Sequence, residues 1–402
     1  MQIILSIFKG IVMKFREVNM IYLDNAATSF PKPENVYAEM DRCMRTYCSN
    51  PGRGSHAMSV QSATAVTVTR EHIAKLLNIK DFLNVCFTKN ATEALNIAIC
   101  GCLSQGDHVI TTCMEHNSVL RPLKTLEKYQ GIKLTIVSGD EQGRIDPAQI
   151  RKSIERKTRL IVCTLSSNVN GIIMPIKEIG EIARDKGILY LIDASQGIGS
   201  IKIDLGKQYA SMVAFPGHKG LMGPQGAGGL YVASGVALKP LMSGGTGSKS
   251  GILYQPDIMP DKYESGTLNT PGIVGLGAGI EFIEKTGEAA IKSKKDLLIK
   301  RLHEGLYQNR HIIFYSSQNI AENSGIIAFN VKGIDSSEIC EELDRNYGIA
   351  CRAGLHCAPL AHNHFRTQRT GIVRMSVGYF NSINDIDRAI IAMNKIAYKK
   401  SR

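Results

Sequence analysis

Residues 188–229 read ILYLIDASQGIGSIKIDLGKQYASMVAFPGHKGLMGPQGAGG. Two apolar, β-rich runs, Ile188–Ala194 and Ser211–Phe215, flank a turn-rich linker. The first run ends in an acid, Asp193, and the second opens into a glycine-rich loop carrying His218 and Lys219. In an open α/β sheet, ligands bind outside the carboxyl ends of the strands, so both side chains fall where a crevice would form. Glycines let the backbone approach a ligand closely and adopt φ > 0. A lysine in such a loop attacks an aldehyde when its amine is uncrowded and unprotonated. The competing structural readings are a solvated turn for Lys219 and a helix N-cap for Asp193.

Working outward, strand-like runs recur at Asp107–Met114, Lys133–Ser138, Thr158–Leu165 and Gly228–Val232. Helical spacing occupies 57–78, 91–103, Ser118–Tyr129, Pro147–Glu155 and Ile176–Lys186. Short strands alternating with helices predict an α/β fold whose mainly parallel sheet is covered on both faces. Further on, the spacing predicts one long helix over Val274–Lys300 and strands near Gly325–Val331, Ile349–Arg352 and Ile372–Val377. Helices near Ser336–Asn346 and Ile383–Tyr398 complete a smaller α+β domain.

Composition narrows the function classes. A chain of 402 residues is too long for one simple core. The net charge is +12, but the basic residues are scattered, with no stripe interleaved with aromatics. Nucleic acid is therefore not an expected partner. No apolar run reaches the roughly 18 residues of a spanning helix, so no membrane is expected either. Ten cysteines are too sparse for a disulfide scaffold and read as reduced thiols of a cytoplasmic protein. Residues 1–19 have lysines in the apolar stretch and no A-x-A cleavage site, so they read as an extension, not a signal peptide.

Four more segments carry chemistry. KNATEAL (Lys89–Leu95) opens a helix, placing Ala91 and Thr92 at a positive helix end that suits phosphate or a plain cap. His116 follows a strand, where its ring could stack on a cofactor or sit in the core. Cys357 lies in CRAGLHCAPLAH (Cys351–His362), beside His356 and near Arg352, and nearby positive charge favours a thiolate. Cys351, at a strand end, reads as packed and inert. Arg374 stands alone in an apolar strand and needs a carboxylate, from substrate or from the protein. For a pyridoxal-phosphate (PLP) cofactor, Asp193 would keep the pyridine nitrogen protonated, and Gln196 could reach the ring's phenolic oxygen.

These segments, with IYLDNAATSFPKP, NPGRGSH, SSNVNG, YESGTLNT and RMSVGYFN in order, resemble the class V aminotransferase group over Met20 to about Ala397. Within it the chain is most similar to cysteine desulfurases and selenocysteine lyases. The resemblance implies fold type I, the PLP-dependent transferase fold, with a seven-stranded sheet. It implies a segment 20–34 packing with the small domain, a large domain 35–275, and a small domain 276–402 carrying the catalytic cysteine. It implies Lys219 as the Schiff-base lysine, Asp193 on the pyridine nitrogen, Gln196 on the ring hydroxyl and His116 stacked on the ring. Ala91, Thr92 and His218 would hold the phosphate, joined by Thr267 from the other subunit of a homodimer. Asn168, Arg352 and Arg374 would bind substrate, and Cys357 would accept sulfur as a persulfide.

The implied reaction converts L-cysteine to L-alanine, with a sulfur-acceptor protein downstream. Selenocysteine lyase, cysteine sulfinate desulfinase or another class V lyase or aminotransferase are the alternatives. No resident metal is expected, because the spacing of His356, Cys357, His362 and His364 matches no zinc pattern. Two features depart from the group: Pro216 stands where a phosphate-binding serine is common, and His362–Gly371 is unusually basic.

Overall fold

Seven strands form the central sheet of the computed structural model, which describes residues 20–52 and 54–399. The expectations for residues 1–19 lie outside that range. The chain starts with β1 (Ile21–Tyr22), α1 (Glu34–Thr46) and α2 (Ala57–Leu76). Strands and helices then alternate: β2 (Val85–Thr88), α3 (Ala91–Cys102), β3 (His108–Thr112), α4 (Asn117–Gln130), β4 (Lys133–Val137), α5 (Pro147–Lys152) and β5 (Thr158–Thr164). The series continues with α6 (Ile176–Asp185), β6 (Leu189–Asp193), α7 (Leu205–Gln208), β7 (Met212–Pro216) and β8 (Gly228–Val232).

The strand order is β2-β8-β7-β6-β5-β3-β4. β8 runs against both its neighbours, and the remaining pairs are parallel, which bears out the mainly parallel sheet. A parallel sheet must be covered on both faces, and the side chains alternate accordingly. Ile161, Ile192 and Val213 enter one core, while Leu160, Leu191 and Met212 enter the other. β2 was not among the strand candidates. Its run VCFT is only four residues long and meets the cap of α3 almost at once.

The second half comprises α8 (Thr270–Thr286), α9 (Glu288–Tyr307), β9 (Ile312–Phe314), β10 (Ile326–Val331), α10 (Ser336–Tyr347), β11 (Ile349–Ala350), α11 (Pro359–Phe365), β12 (Val373–Ser376) and α12 (Ile383–Lys399). An antiparallel sheet of order β12-β10-β9 packs on a separate core that includes Leu302, Phe329, Ile386 and Met393. β1 pairs in parallel with β11, and Leu23 is buried in that same core.

The single helix expected over Val274–Lys300 is in fact two. Gly287 breaks it at φ 87°, a conformation that lacks steric cost only without a Cβ. Its N–H closes α8 on the Ile283 carbonyl at 2.7 Å. The break lets neighbouring turns serve different cores: Leu276, Ile280 and Ile283 lie under the large sheet, and Leu298, Leu302 and Leu306 under the small one. The boundary expected at 275/276 falls inside α8.

The YESGTLNT segment is fixed by a buried ion pair. Arg70 Nη1 lies 2.7 Å from Glu264 Oε1, which also accepts the Phe87 N–H at 2.6 Å.

Candidate active site

The carboxyl ends of β5, β6 and β7 open on a cavity of ≈ 80 Å³. Ala91, Thr92, His116, Asn168, Asp193, Gln196, Pro216, His218 and Lys219 line it. Residues far apart in sequence thus meet at one point, as strand-end placement requires.

Asp193 is buried and its Oδ1 accepts the Ser195 N–H at 2.9 Å. Turns rather than a helix follow it, so the N-cap reading falls. Among the described residues no salt bridge reaches this carboxylate. Gln196 Nε2 donates to the Ala26 carbonyl at 2.7 Å.

Asn90 caps α3 by accepting the Glu93 N–H at 2.9 Å, and Thr92 sits inside the first turn. The first N–H groups of a helix have no intrahelical partner, so this end faces the cavity with positive potential. Thr92 Oγ1 lies 2.8 Å from Ser118 Oγ, which lies 2.9 Å from His116 Nδ1. The same nitrogen accepts the Ser118 N–H at 3.0 Å, which assigns the ring proton to Nε2. Ser118 was not singled out from the sequence; its signal is its place two residues after His116.

Lys219 sits in this cavity with its pKa lowered to about 8. Burial is the main cause; Asp193 pulls the other way, and Arg374 and Arg352 push further down. His218 falls to about 4, again mainly by burial, with Lys219 and Lys32 adding to the effect. Its Nδ1 is buried without a partner among the described residues. Its carbonyl accepts the Ser29 N–H at 3.0 Å and Lys32 Nζ at 2.8 Å, clamping the loop from the N-terminal segment.

A second group adjoins the first. Arg374 is buried; its Nη1 donates to the Asn168 carbonyl at 2.8 Å and its Nη2 to Asp24 Oδ1 at 3.0 Å. Arg352 Nε donates to Asp24 Oδ2 at 3.0 Å. The internal-salt-bridge reading of Arg374 is therefore realised, yet Arg374 Nε stays buried with no partner among the described residues. Asp24 lies in the IYLDNAATSFPKP motif but had been given no role.

Cys357 is an exposed free thiol. His356 and Cys357 hold φ of 47° and 56°, a left-handed pair that costs non-glycine residues energy. The Cys357 carbonyl accepts the Asn117 N–H at 2.7 Å, and the His356 carbonyl accepts Asn168 Nδ2 at 2.7 Å. The turn is thus tied to the residue beside His116. One expectation needs correction: His356 supplies no positive charge to the thiol. It is buried, bonded to the Ile372 carbonyl at 2.9 Å, and its pKa is pushed down to about 3, chiefly by burial. Cys351 is half-buried, with Sγ 3.3 Å from Cys340 Sγ.

Three further placements matter. Thr267 is exposed and lines a separate hollow with Thr246 and Arg70, away from Lys219 in the same chain. Glu115 was not foreseen. It is fully buried, and its Oε1 accepts Thr112 Oγ1 at 2.6 Å and the Thr164 N–H at 3.0 Å. Burial raises its pKa to about 8, with Asp193 adding to the shift, so the site favours its neutral form. Arg366 and Arg369 of the basic stretch are exposed. Among the described residues no three His, Cys, Asp or Glu side chains are grouped to hold a metal ion.

The chain belongs to the class-V aminotransferase family, which it matches over residues 21–389. Within that family, the relatives it resembles are cysteine desulfurases. A probable cysteine desulfurase of Methanothermobacter thermautotrophicus is 36% identical over 386 residues, 94% of each chain. A cysteine desulfurase of Pectobacterium carotovorum is 30% identical over 394 residues, again 94% of each. Among solved structures, the apo cysteine desulfurase of Thermococcus onnurineus superposes with a TM-score of 0.89 at 32% identity, covering 94% of this chain and 95% of that one.

The lowered pKa of Lys219 has a direct readout. Pulsed acetylation of cofactor-free protein, followed by mass spectrometry across pH, is expected to label Lys219 with a midpoint near pH 8. A midpoint near the ordinary lysine value of 10.5 would contradict the electrostatics described above.

Proposed function

We propose that this chain is a PLP-dependent cysteine desulfurase, converting L-cysteine to L-alanine and storing the sulfur on Cys357 as a persulfide. The observation that carries the reading is the tie between the strained, exposed Cys357 turn and the residues flanking the Lys219 cavity. The cavity also fits the cofactor. Among the described residues, Asp193 is a buried carboxylate without a salt bridge and His218 Nδ1 is a buried ring nitrogen without a partner, while the α3 N-terminus favours an anion. A protonated pyridine ring bearing a phosphate and an aldehyde complements all three, with Lys219 as the covalent anchor. Pro216 offers no N–H or hydroxyl, so phosphate would rest on Ala91, Thr92, His218 and a partner subunit's residue.

PLP, when bound, delocalises negative charge from the substrate Cα. Every other step falls to the protein. Arg374 and Asn168 would hold the substrate carboxylate, and His116 would stack on the cofactor ring. The neutral amine of Lys219 takes the proton from Cα. Cys357 Sγ attacks the substrate sulfur; an S–S bond forms as the C–S bond breaks. The electron pair stays with the carbon skeleton, which takes up protons and leaves as alanine. The exchange balances: cysteine plus thiol gives alanine plus persulfide.

The exposed position of Thr267 supports a homodimer in which each copy supplies Thr267 to the other's cavity. The exposure of Cys357 supports hand-over of sulfur to an acceptor protein. The reducing compartment inferred from the cysteines supports a cytoplasmic setting, and among the described residues no helix is long and apolar enough to cross a membrane.

Alanine release from cysteine tests the chemistry. Lys219→Ala is expected to lose at least about a thousandfold in kcat and the cofactor's visible absorbance band. Cys357→Ser should keep that band and lose cysteine turnover to a similar extent. A Cys357→Ser enzyme of normal activity would leave only the cofactor assignment standing. Assembly has its own test: sedimentation should show a dimer, and a fully active monomer would refute the shared site.

A further inference from the structure

Two guanidiniums meet one carboxylate beside Asn168, which lines the cavity and accepts Arg374 Nη1 through its carbonyl. Asp24 Oδ1 takes Arg374 Nη2 at 3.0 Å, and Oδ2 takes Arg352 Nε at 3.0 Å and Nη2 at 2.9 Å. The arrangement is built into the backbone. Arg352 and Arg374 are antiparallel bridge partners, joined by N–H to carbonyl bonds of 3.2 and 2.8 Å, so both side chains start from adjacent positions. Asp24 is itself bridged to Ser376, the last residue of β12, and its carbonyl accepts Tyr22 OH at 3.2 Å. The cluster lies close enough to Lys219 for all three charges to act on its amine.

The charge inventory of this end is short. His116, His218 and His356 are all held toward the neutral form by burial. Asp193 and Lys219 are engaged with the cofactor in the reading above. Two arginines and Asp24 therefore leave one positive charge. Arg374 is the buried member, its side chain 4% exposed, and its Nε is buried with no partner among the described residues. Arg352 is the accessible member, 51% exposed and in the bridge between β11 and the Cys357 turn, but its charge is taken up by Asp24.

Resting on the desulfurase reading, we propose that Asp24 is a specificity-determining residue: by engaging Arg352 it matches the site to a substrate with one anionic group. L-Cysteine fits, because its thiol, with a pKa of about 8.5, is mostly protonated at neutral pH. L-Cysteine sulfinate carries a second anion on the β-carbon, where only a cation already neutralised by Asp24 is available. Charges a few Å apart at a partly exposed site interact strongly enough to discriminate at least about tenfold.

The test compares kcat/KM for L-cysteine and L-cysteine sulfinate, both read as alanine release from the holoenzyme. With sulfinate, water enters and sulfite leaves. Wild type is expected to prefer cysteine. Asp24→Asn keeps the shape but frees the Arg352 charge, and should shift the cysteine-to-sulfinate ratio toward sulfinate at least about tenfold, mainly through KM. Arg352→Gln leaves Asp24 paired with Arg374 alone and should shift the ratio the opposite way. The cofactor band and Tm report on folding, and the Arg352→Gln shift alone decides the matter if Asp24→Asn does not fold. Parallel losses for both substrates in both variants would overturn the proposal and leave Asp24 a structural ion. A wild type that turns over sulfinate but not cysteine would sink the desulfurase reading together with it.

Discussion

Desolvation strips protons from His218, His356 and Lys219 alike, because each would carry a positive charge away from water. The first two fall to about 4 and about 3, and the lysine to about 8. The same burial works in reverse on Glu115, raised to about 8 and so biased toward its neutral form. The charges that remain are Asp193, Asp24, Arg352 and Arg374, with Lys32 on the His218 carbonyl and whatever fraction of Lys219 is protonated. Each has a fixed place: Asp193 at the end of a central parallel strand, Arg374 on β12 of the small sheet with Arg352 as its bridge partner, and Asp24 between them. An amine whose pKa is lowered to about 8, near a buried carboxylate, is suited to hold an aldehyde cofactor and then to move a proton.

The cysteines illustrate the same constraint. Cys351 has its pKa raised well above the ordinary value, first by its hydrogen bond to Cys340 and then by burial. A thiol so held is poorly suited to attack. Cys357 is exposed on a turn whose two left-handed residues are kept in place by bonds to Asn117 and Asn168. Strain of this kind persists only where the surroundings over-determine it. Here it projects a thiol toward solvent while anchoring its backbone beside His116.

Much of this was legible in the sequence because it is local. The apolar runs ending at Asp193 and opening at Lys219 declare strands, and strand ends declare a crevice. The rest depended on distance or burial. Asp24 meets Arg352 and Arg374 across 328 and 350 positions, and no spacing rule reaches that far. Glu115, beside His116, reads as an ordinary acid until its complete burial is known. His356 looked like a cation for the same reason. Gly287 sits inside an unbroken amphipathic pattern, where an isolated glycine is tolerated, so only its φ of 87° reveals the break.

The claim that sulfur passes through one particular thiol of ten is the most exposed part of the account. Holoenzyme treated with L-cysteine, alkylated at once and mapped by mass spectrometry addresses it directly. The account predicts a persulfide on Cys357 and unmodified sulfur at Cys340 and Cys351. A persulfide found chiefly on Cys351, or on no cysteine while alanine is still released, would contradict it.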